Sequence, residues 1–246
     1  MRLALLTDIH ANREAFEAVL ADVARREIGQ IVMLGDLVGY GADPEWCVDK
    51  AMALVRDGAL AVRGNHDSAI SDLSETMSAN ARKAIDWTRP RLNEAQRRFL
   101  AGLPLTRALD DMLFTHASAN DPGDWIYVTS ERSAMPSFRV SKARLIFVGH
   151  VHVPTLLTCD IGGTVRGHRI PMSMPIPMLR SRRWLAVVGS VGQARDGVAA
   201  AGYAVLDTAT NELSFRRVPY DTAAAAAKVR AAGLPESLAL RLVRGE

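Results

Sequence analysis

The segment Leu3-Ala4-Leu5-Leu6-Thr7-Asp8-Ile9-His10 decides the fold. Its continuous apolar run suits a strand covered on both faces, and the run closes on an acid and an imidazole instead of a turn residue. Four later runs repeat this grammar. Ile31–Leu34 leads to Gly35-Asp36, Leu60–Val62 to Gly64-Asn65-His66-Asp67, Met112–Thr115 to His116, and Leu145–Val148 to Gly149-His150-Val151-His152. Helical patterns separate the first three runs as in βαβ units. Asn12 is a fitting N-cap for a helix through Ala15, Val19, Leu20 and Val23 that Gly29 ends. Pro44 fits the first position of a second helix toward Arg56.

From Asn80 to Leu103 the pattern is again helical, divided by Pro90, which has no N–H to donate. Beyond His152 the runs shorten and alternate: Thr155–Thr158, Trp184–Val188, Tyr203–Leu206 and Leu213–Val218 read as strands, several of them antiparallel. An Ala-rich helical tail follows over about 222–246. No shift in composition marks a linker, so residues 1–246 read as a single domain of two packed mixed sheets with helices outside. The Pro171–Met178 stretch, with Arg180, Arg182 and Arg183 after it, reads as an irregular edge segment folded onto the second sheet, with a substrate lid or subunit contact as the other reading.

With 48% hydrophobic and 23% charged residues over 246 positions, the chain has the means to build a substantial core, which excludes intrinsic disorder. A formal charge of +3 without a basic stripe interleaved with aromatics argues against a nucleic-acid polymer as partner. Cys47 and Cys159 stand alone without CxxC spacing, as expected of a reducing compartment, and a cytoplasmic location is expected. The Leu3–Leu6 run meets Asp8 too early for a signal-peptide core, and no stretch approaches the length of a membrane span. No heptad pattern points to an oligomeric state.

Histidines stand at 10, 66, 116, 150, 152 and 168, and all but His168 closely follow an expected strand. Ligands gather at the carboxyl ends of parallel strands, so these residues can meet in one crevice. If the backbone stays extended, residues i and i+2 face the same way, placing Asp8 beside His10 and His150 beside His152. Carboxylates, imidazoles and an amide oxygen suit first-row divalent metals, and Asp36 is the natural bridge between two ions, with Gly35 permitting close approach of the backbone. Such a pair of ions would clamp phosphate oxygens and present a bridging hydroxide in line with a departing ester oxygen, which is the arrangement of a phosphoester hydrolase. His168, in Arg166-Gly167-His168-Arg169, has no such company and reads as solvated surface in a polar loop or hairpin.

The ordered series Asp8-x-His10, Gly35-Asp36, Gly64-Asn65-His66-Asp67, His116 and Gly149-His150-x-His152 resembles the calcineurin-like metallophosphoesterases of the small bacterial and archaeal type. Asp36–Gly41, Trp87-Thr88-Arg89 and Gly189–Gln193 extend the likeness to one branch of that family. The resemblance implies an α/β four-layer α-β-β-α sandwich with two mixed β-sheets and flanking helices. It implies that Asp8, His10, Asp36 and His152 hold one divalent ion and Asp36, Asn65, His116 and His150 a second, with Mn, Fe, Ni, Co and Zn all acceptable. It makes His66 the general acid or phosphate-charge stabiliser, with Asp67 orienting its imidazole. Ala11 and Ala117 stand where relatives commonly carry Gly, Val151 where they carry Thr, and Val187-Val188 where they often carry Asn-Pro.

The expected activity is hydrolysis of a small phosphorylated substrate such as a nucleotide, with phosphodiesters favoured. Dinucleoside polyphosphates and phosphomonoesters are the alternatives within the same chemistry, and a non-catalytic metal-binding scaffold is the alternative outside it. Arg195 and Gln193, after the Gly-Ser-Val-Gly turn, and Arg63, before Gly64, are candidate contacts to the substrate phosphate.

Overall fold

The computed structural model describes residues 1–246. At its centre, β1 (Arg2–Leu6) pairs parallel to β2 (Gln30–Met33) and antiparallel to β11 (Ala201–Asp207). With β3 (Leu60–Ala61), β12 (Glu212–Val218) and β9 (Ile176–Pro177) these form a six-stranded sheet of order β3-β2-β1-β11-β12-β9. The second six-stranded sheet has the order β4-β5-β6-β10-β7-β8. Its strands are β4 (Thr106–Leu109), β5 (Met112–Thr115), β6 (Leu145–Val148), β7 (Thr155–Cys159), β8 (Val165–His168) and β10 (Arg183–Val187). Both sheets are mixed: in the second, β5, β6 and β10 run parallel, β4 pairs antiparallel with β5, and β7 pairs antiparallel with both β10 and β8.

The period-two alternation of strands divides the core into layers. Leu3, Leu5, Val32 and Leu34 point between the sheets, where they meet Phe114, Phe147, Leu156 and Ala186. Ala4, Leu6 and Met33 point outward onto α1 (Arg13–Ala24) and α2 (Pro44–Arg56), through Phe16, Val19 and Val48. On the far side, Ile146, Val148, Leu185 and Val187 pack against α6 (Glu131–Val140) through Ala134 and Phe138. The order is therefore helix, sheet, sheet, helix, and β1 is covered on both faces as its unbroken apolar run requires. Short α3 (Asn65–Ser68) carries the residues after β3. The 79–103 region splits into α4 (Ala79–Thr88), a 3₁₀ turn at Arg89–Arg91 and α5 (Glu94–Gly102), the break falling at Pro90.

Several local expectations are met and several are not. Asn12 caps α1 by accepting from the Ala15 N–H at 3.1 Å, and Pro44 opens α2. Helix α1 stops at Ala24, before Gly29, because Glu27 already turns left-handed at φ 52°. The runs at 203–206 and 213–218 join the sheet of β1, while the runs at 112–115 and 145–148 build the other one, so the five leading strands divide between sheets. The Pro/Met segment lies on the edge of the first sheet and not the second: Ile176–Pro177 pairs with β12, and Met178 is fully buried between the sheets. The tail forms α7 (Thr222–Ala231) and α8 (Glu236–Arg244), which pack with Ala81, Ala84 and Tyr40 in one cluster. Lys228 of α7 ties this hairpin to Glu14 at 2.5 Å and Asp43 at 2.8 Å.

Candidate metal centre

The carboxyl ends of β1, β2, β3, β5 and β6 open onto one crevice where the two sheets meet. The backbone does not stay extended there. Asp8, His10, Asp36, His150 and His152 all take left-handed conformations, with φ between 50° and 67°, which L-residues adopt at a cost of about 1–3 kcal/mol each. The tight turns send the side chains in directions that strand alternation does not foresee. Asp8 does meet His10, but His150 and His152 point to different partners, which corrects the expectation that they share one face. Ala11 is forced to φ 51°, so the alanine sits in a glycine conformation, whereas Ala117 is not among the positive-φ residues.

Three overlapping donor groups result, of which the group of His10, Asp36 and His66 links the other two clusters. In the first, Asp8 Oδ1 lies 3.1 Å from His152 Nε2 and 3.6 Å from His10 Nε2, and the two Nε2 atoms are 3.1 Å apart. In the second, Asp36, His116 and His150 converge, with His116 Nε2 3.1 Å from His150 Nδ1. Asp36 joins the two clusters: its Oδ2 is 3.6 Å from His10 Nε2 and 3.4 Å from His116 Nε2. Its other oxygen accepts from the His66 N–H at 2.9 Å.

The donor set fits divalent cations. His10 Nδ1 faces the Val38 carbonyl at 3.0 Å, His116 Nδ1 that of Leu34 at 2.7 Å, and His152 Nδ1 that of Gln193 at 2.5 Å. Each carbonyl accepts a hydrogen bond from Nδ1–H, so Nε2 of His10 and of His152 turns a lone pair into the crevice, while Nε2 of His116 faces the Asp36 carboxylate. Nε2 of His10 and Nε2 of His152 are then two acceptors in contact, an arrangement that a shared cation makes favourable. Asp8 Oδ1 and Asn65 Oδ1 are buried without a hydrogen-bond partner, again as ligand atoms would be.

Charge follows the same geometry. Burial opposes ionisation of Asp8 and Asp36, but the surrounding imidazoles, His152 foremost for Asp8 and His116 for Asp36, hold both carboxyls well below the usual range. For His116, burial is outweighed by Asp36, and the imidazole is raised to about 9. Burial depresses His150 and His152 to about 4 and His66 to about 3, so these three rings are neutral at pH 7.

His66 sits within the crevice, its ring 4.8 Å from that of His10, and its Nδ1 is buried without a partner. Asp67 does not orient it. The Asp67 carboxylate accepts from the N–H groups of Asp36 at 2.8 Å, Leu37 at 2.9 Å and Gly64 at 3.0 Å, so it shapes the loop that carries Asp36. Burial and the Asp36 charge push Asp67 up to about 7 against those donors. Arg63 donates through Nη1 to the Ala101 carbonyl at 3.0 Å, and its Nε is buried without a partner. Arg195 stays beside the crevice, held by Gln193 Oε1 at 3.0 Å and lying 5.6 Å over the Tyr40 ring. His168 is exposed at the end of β8, where its Nε2 pairs with Thr158 Oγ1 at 2.7 Å.

Four neighbours of the centre were not singled out in the sequence. Thr7 donates its hydroxyl to Asp8 Oδ2 at 2.7 Å, and the His150 N–H donates to the same oxygen at 2.9 Å. Tyr40 packs 4.5 Å from both His10 and His66. Tyr127 stacks on His150 at 4.1 Å, and Trp125 meets His116 edge-on at 5.9 Å. Tyr40 could have been flagged by the glycines on either side of it, because Cβ at 39 would collide with His66. Trp125 and Tyr127 lie in a loop with no periodic signal.

The whole-chain comparisons agree with this geometry. The model of the calcineurin-like phosphoesterase superfamily domain matches residues 1–211. An uncharacterized protein of Methanocaldococcus jannaschii is 34% identical over 253 residues, covering 99% of this chain and 98% of its own. The crystal structure of a metallophosphoesterase from Sphaerobacter thermophilus is 36% identical, with a TM-score of 0.89 and complete coverage of both chains. A hypothetical protein from Pyrococcus horikoshii shares the fold at a TM-score of 0.78 and 20% identity, over 100% of this chain and 98% of its own. A family match over most of the chain and a crevice built from Asp, His and Asn at five strand ends lead to one conclusion: the chain belongs to the calcineurin-like phosphoesterase superfamily.

Proposed function

We propose that this phosphoester hydrolase is a dinuclear metal-dependent phosphodiesterase acting on small phosphorylated substrates. The observation that carries the reading is Asp36, whose Oδ2 lies between the imidazoles of two separate ligand clusters. Asp8, His10, Asp36 and His152 would hold one ion, and Asp36, Asn65, His116 and His150 the other. Divalent ions so bound supply Lewis-acid stabilisation of the phosphoryl charge and an activated water. Manganese is the ion proposed for the first tests, since these ligands accept several first-row metals and availability decides among them.

The chain's own residues do the rest. The carbonyls of Val38, Leu34 and Gln193 hold three imidazoles in the tautomer that faces the crevice. His66, buried beside His10 with a ring nitrogen free of protein partners, donates a hydrogen bond to the ester oxygen that leaves. Arg195 is close enough to the crevice to meet a phosphate oxygen while Gln193 fixes its fork. Two free buried cysteines, Cys47 and Cys159, support a reducing compartment and hence the cytoplasm.

Hydrolysis of an aryl phosphodiester beside its matching monoester, with chelated protein reloaded with manganese, tests this directly. The expected result is metal-dependent turnover of the diester that exceeds that of the monoester and is lost in Asp36→Asn. Turnover that survives chelation or the Asp36→Asn change would overturn the dinuclear reading.

A further inference from the structure

A cavity of about 790 Å³ opens beside the candidate centre and shares His150 and Asn65 with it. Its composition is unusual for a protein that handles phosphates. Tyr40, Trp125 and Tyr127 line it together with the carboxylates of Asp72, Glu75 and Asp124, and neither lysine nor arginine does. Tyr127 is 53% exposed while its ring stacks on His150, so a large aromatic surface remains open at the mouth. Trp125 is fixed in place by Glu75, whose two carboxylate oxygens accept from the indole N–H at 3.0 and 3.1 Å. Two arginines border the lining without entering it: Arg82 donates to the main-chain carbonyl of Glu75 and faces the charge of Asp72, and Arg195 lies over Tyr40 with Gln193.

We propose that this cavity holds the alcohol moiety of the phosphodiester and that the moiety is a short-chain organic cation of the alkylammonium type. Aromatic faces attract a cation through their quadrupole, and carboxylates attract it through charge. The same walls disfavour an anionic extension: a second phosphate beyond the scissile one would meet three carboxylates in the lining, which weighs against dinucleoside polyphosphates. The phosphoryl end of this assignment rests on the hydrolase reading above, whereas the cation end does not.

Two measurements separate these parts. Choline titrated into metal-free protein should change tryptophan fluorescence saturably, with the change abolished in Trp125→Phe and weakened about tenfold or more in the Asp72→Asn/Asp124→Asn double variant. With manganese-loaded protein, the choline ester of p-nitrophenyl phosphate should show a kcat/KM about tenfold or more above the ethyl ester, and that ratio should collapse in the same double variant. Equal kcat/KM for the two esters, or no saturable response to choline, would overturn the proposal. Choline binding without turnover of any ester would retain the cavity assignment and overturn the hydrolase reading instead.

Discussion

At the scale of single residues, His66 and Asp67 are adjacent yet have separable jobs. His66 faces the crevice without binding partners of its own, so His66→Ala should leave metal content intact and lower diester turnover by about 10²–10⁴-fold. Equal turnover in that variant would remove His66 from the reaction. Asp67 instead accepts four backbone N–H groups around Asp36, two on each oxygen, and an asparagine would turn its own N–H₂ against one pair of those donors. Asp67→Asn should therefore cost about 1–3 kcal/mol of stability and weaken metal retention, read by melting and by metal analysis after dialysis. Metal content and melting temperature equal to wild type would refute this role. The block Gly64-Asn65-His66-Asp67 marks this region as chemical in the sequence alone, but not which partner Asp67 takes. A carboxylate beside a histidine suggests an orienting pair. The short helix α3 turns the two side chains apart, and that turn is a tertiary fact.

At the scale of elements, strands that end on ligands were legible because complete burial leaves a continuous apolar run. The partition of those strands between two sheets was not, because an apolar run does not say which sheet covers it. Helix α6 escaped notice for a local reason: Pro136 lies inside it, and its boundary is marked by a serine pair, Ser130 capping through the Ser133 N–H. Edge strands β4 and β8 were missed because most of their residues are exposed and carry no burial signal. The end of β6 meets the end of β1 closely at Gly149, where an added Cβ would overlap Thr7 Oγ1 and come within 2.6 Å of Asp8 Oδ2. Gly149→Ala should push the end of β6 away from the end of β1, costing about 1–3 kcal/mol as overpacking does and reducing metal retention. A variant with normal metal content would show that the ends of the two sheets are not held in register by this contact.

At the scale of the whole molecule, the centre is a concentration of buried titratable groups whose environment the protein must sustain with or without ions. Burial depresses His150 and His152 to about 4 and His66 to about 3, all below the ordinary value of 6.5. The unfolded chain therefore binds more protons at these sites than the native chain between about pH 6.5 and 4, and stability falls as pH drops through that window. His116, raised to about 9 by Asp36 against its burial, acts in the opposite sense: its contribution is complete below 6.5 and fades as pH rises toward 9. Asp8 and Asp36, held well below the usual carboxylate range, keep their contribution across both windows. Asp67, raised to about 7, opposes the three imidazoles by taking up a proton in the native state as pH falls below 7, but three depressed rings outweigh one raised carboxyl, and metal-free protein should melt at a lower temperature at pH 5 than at pH 7. Ions bound only by the native state add stability by mass action, and they must displace the proton that His116 holds, a competition that grows as pH falls from 7 to 5. The rise in melting temperature on adding manganese should therefore be large at pH 7 and small at pH 5. Calorimetry of chelated and reloaded protein at both values checks this, and equal metal-induced shifts would mean that the ions do not bind through His116.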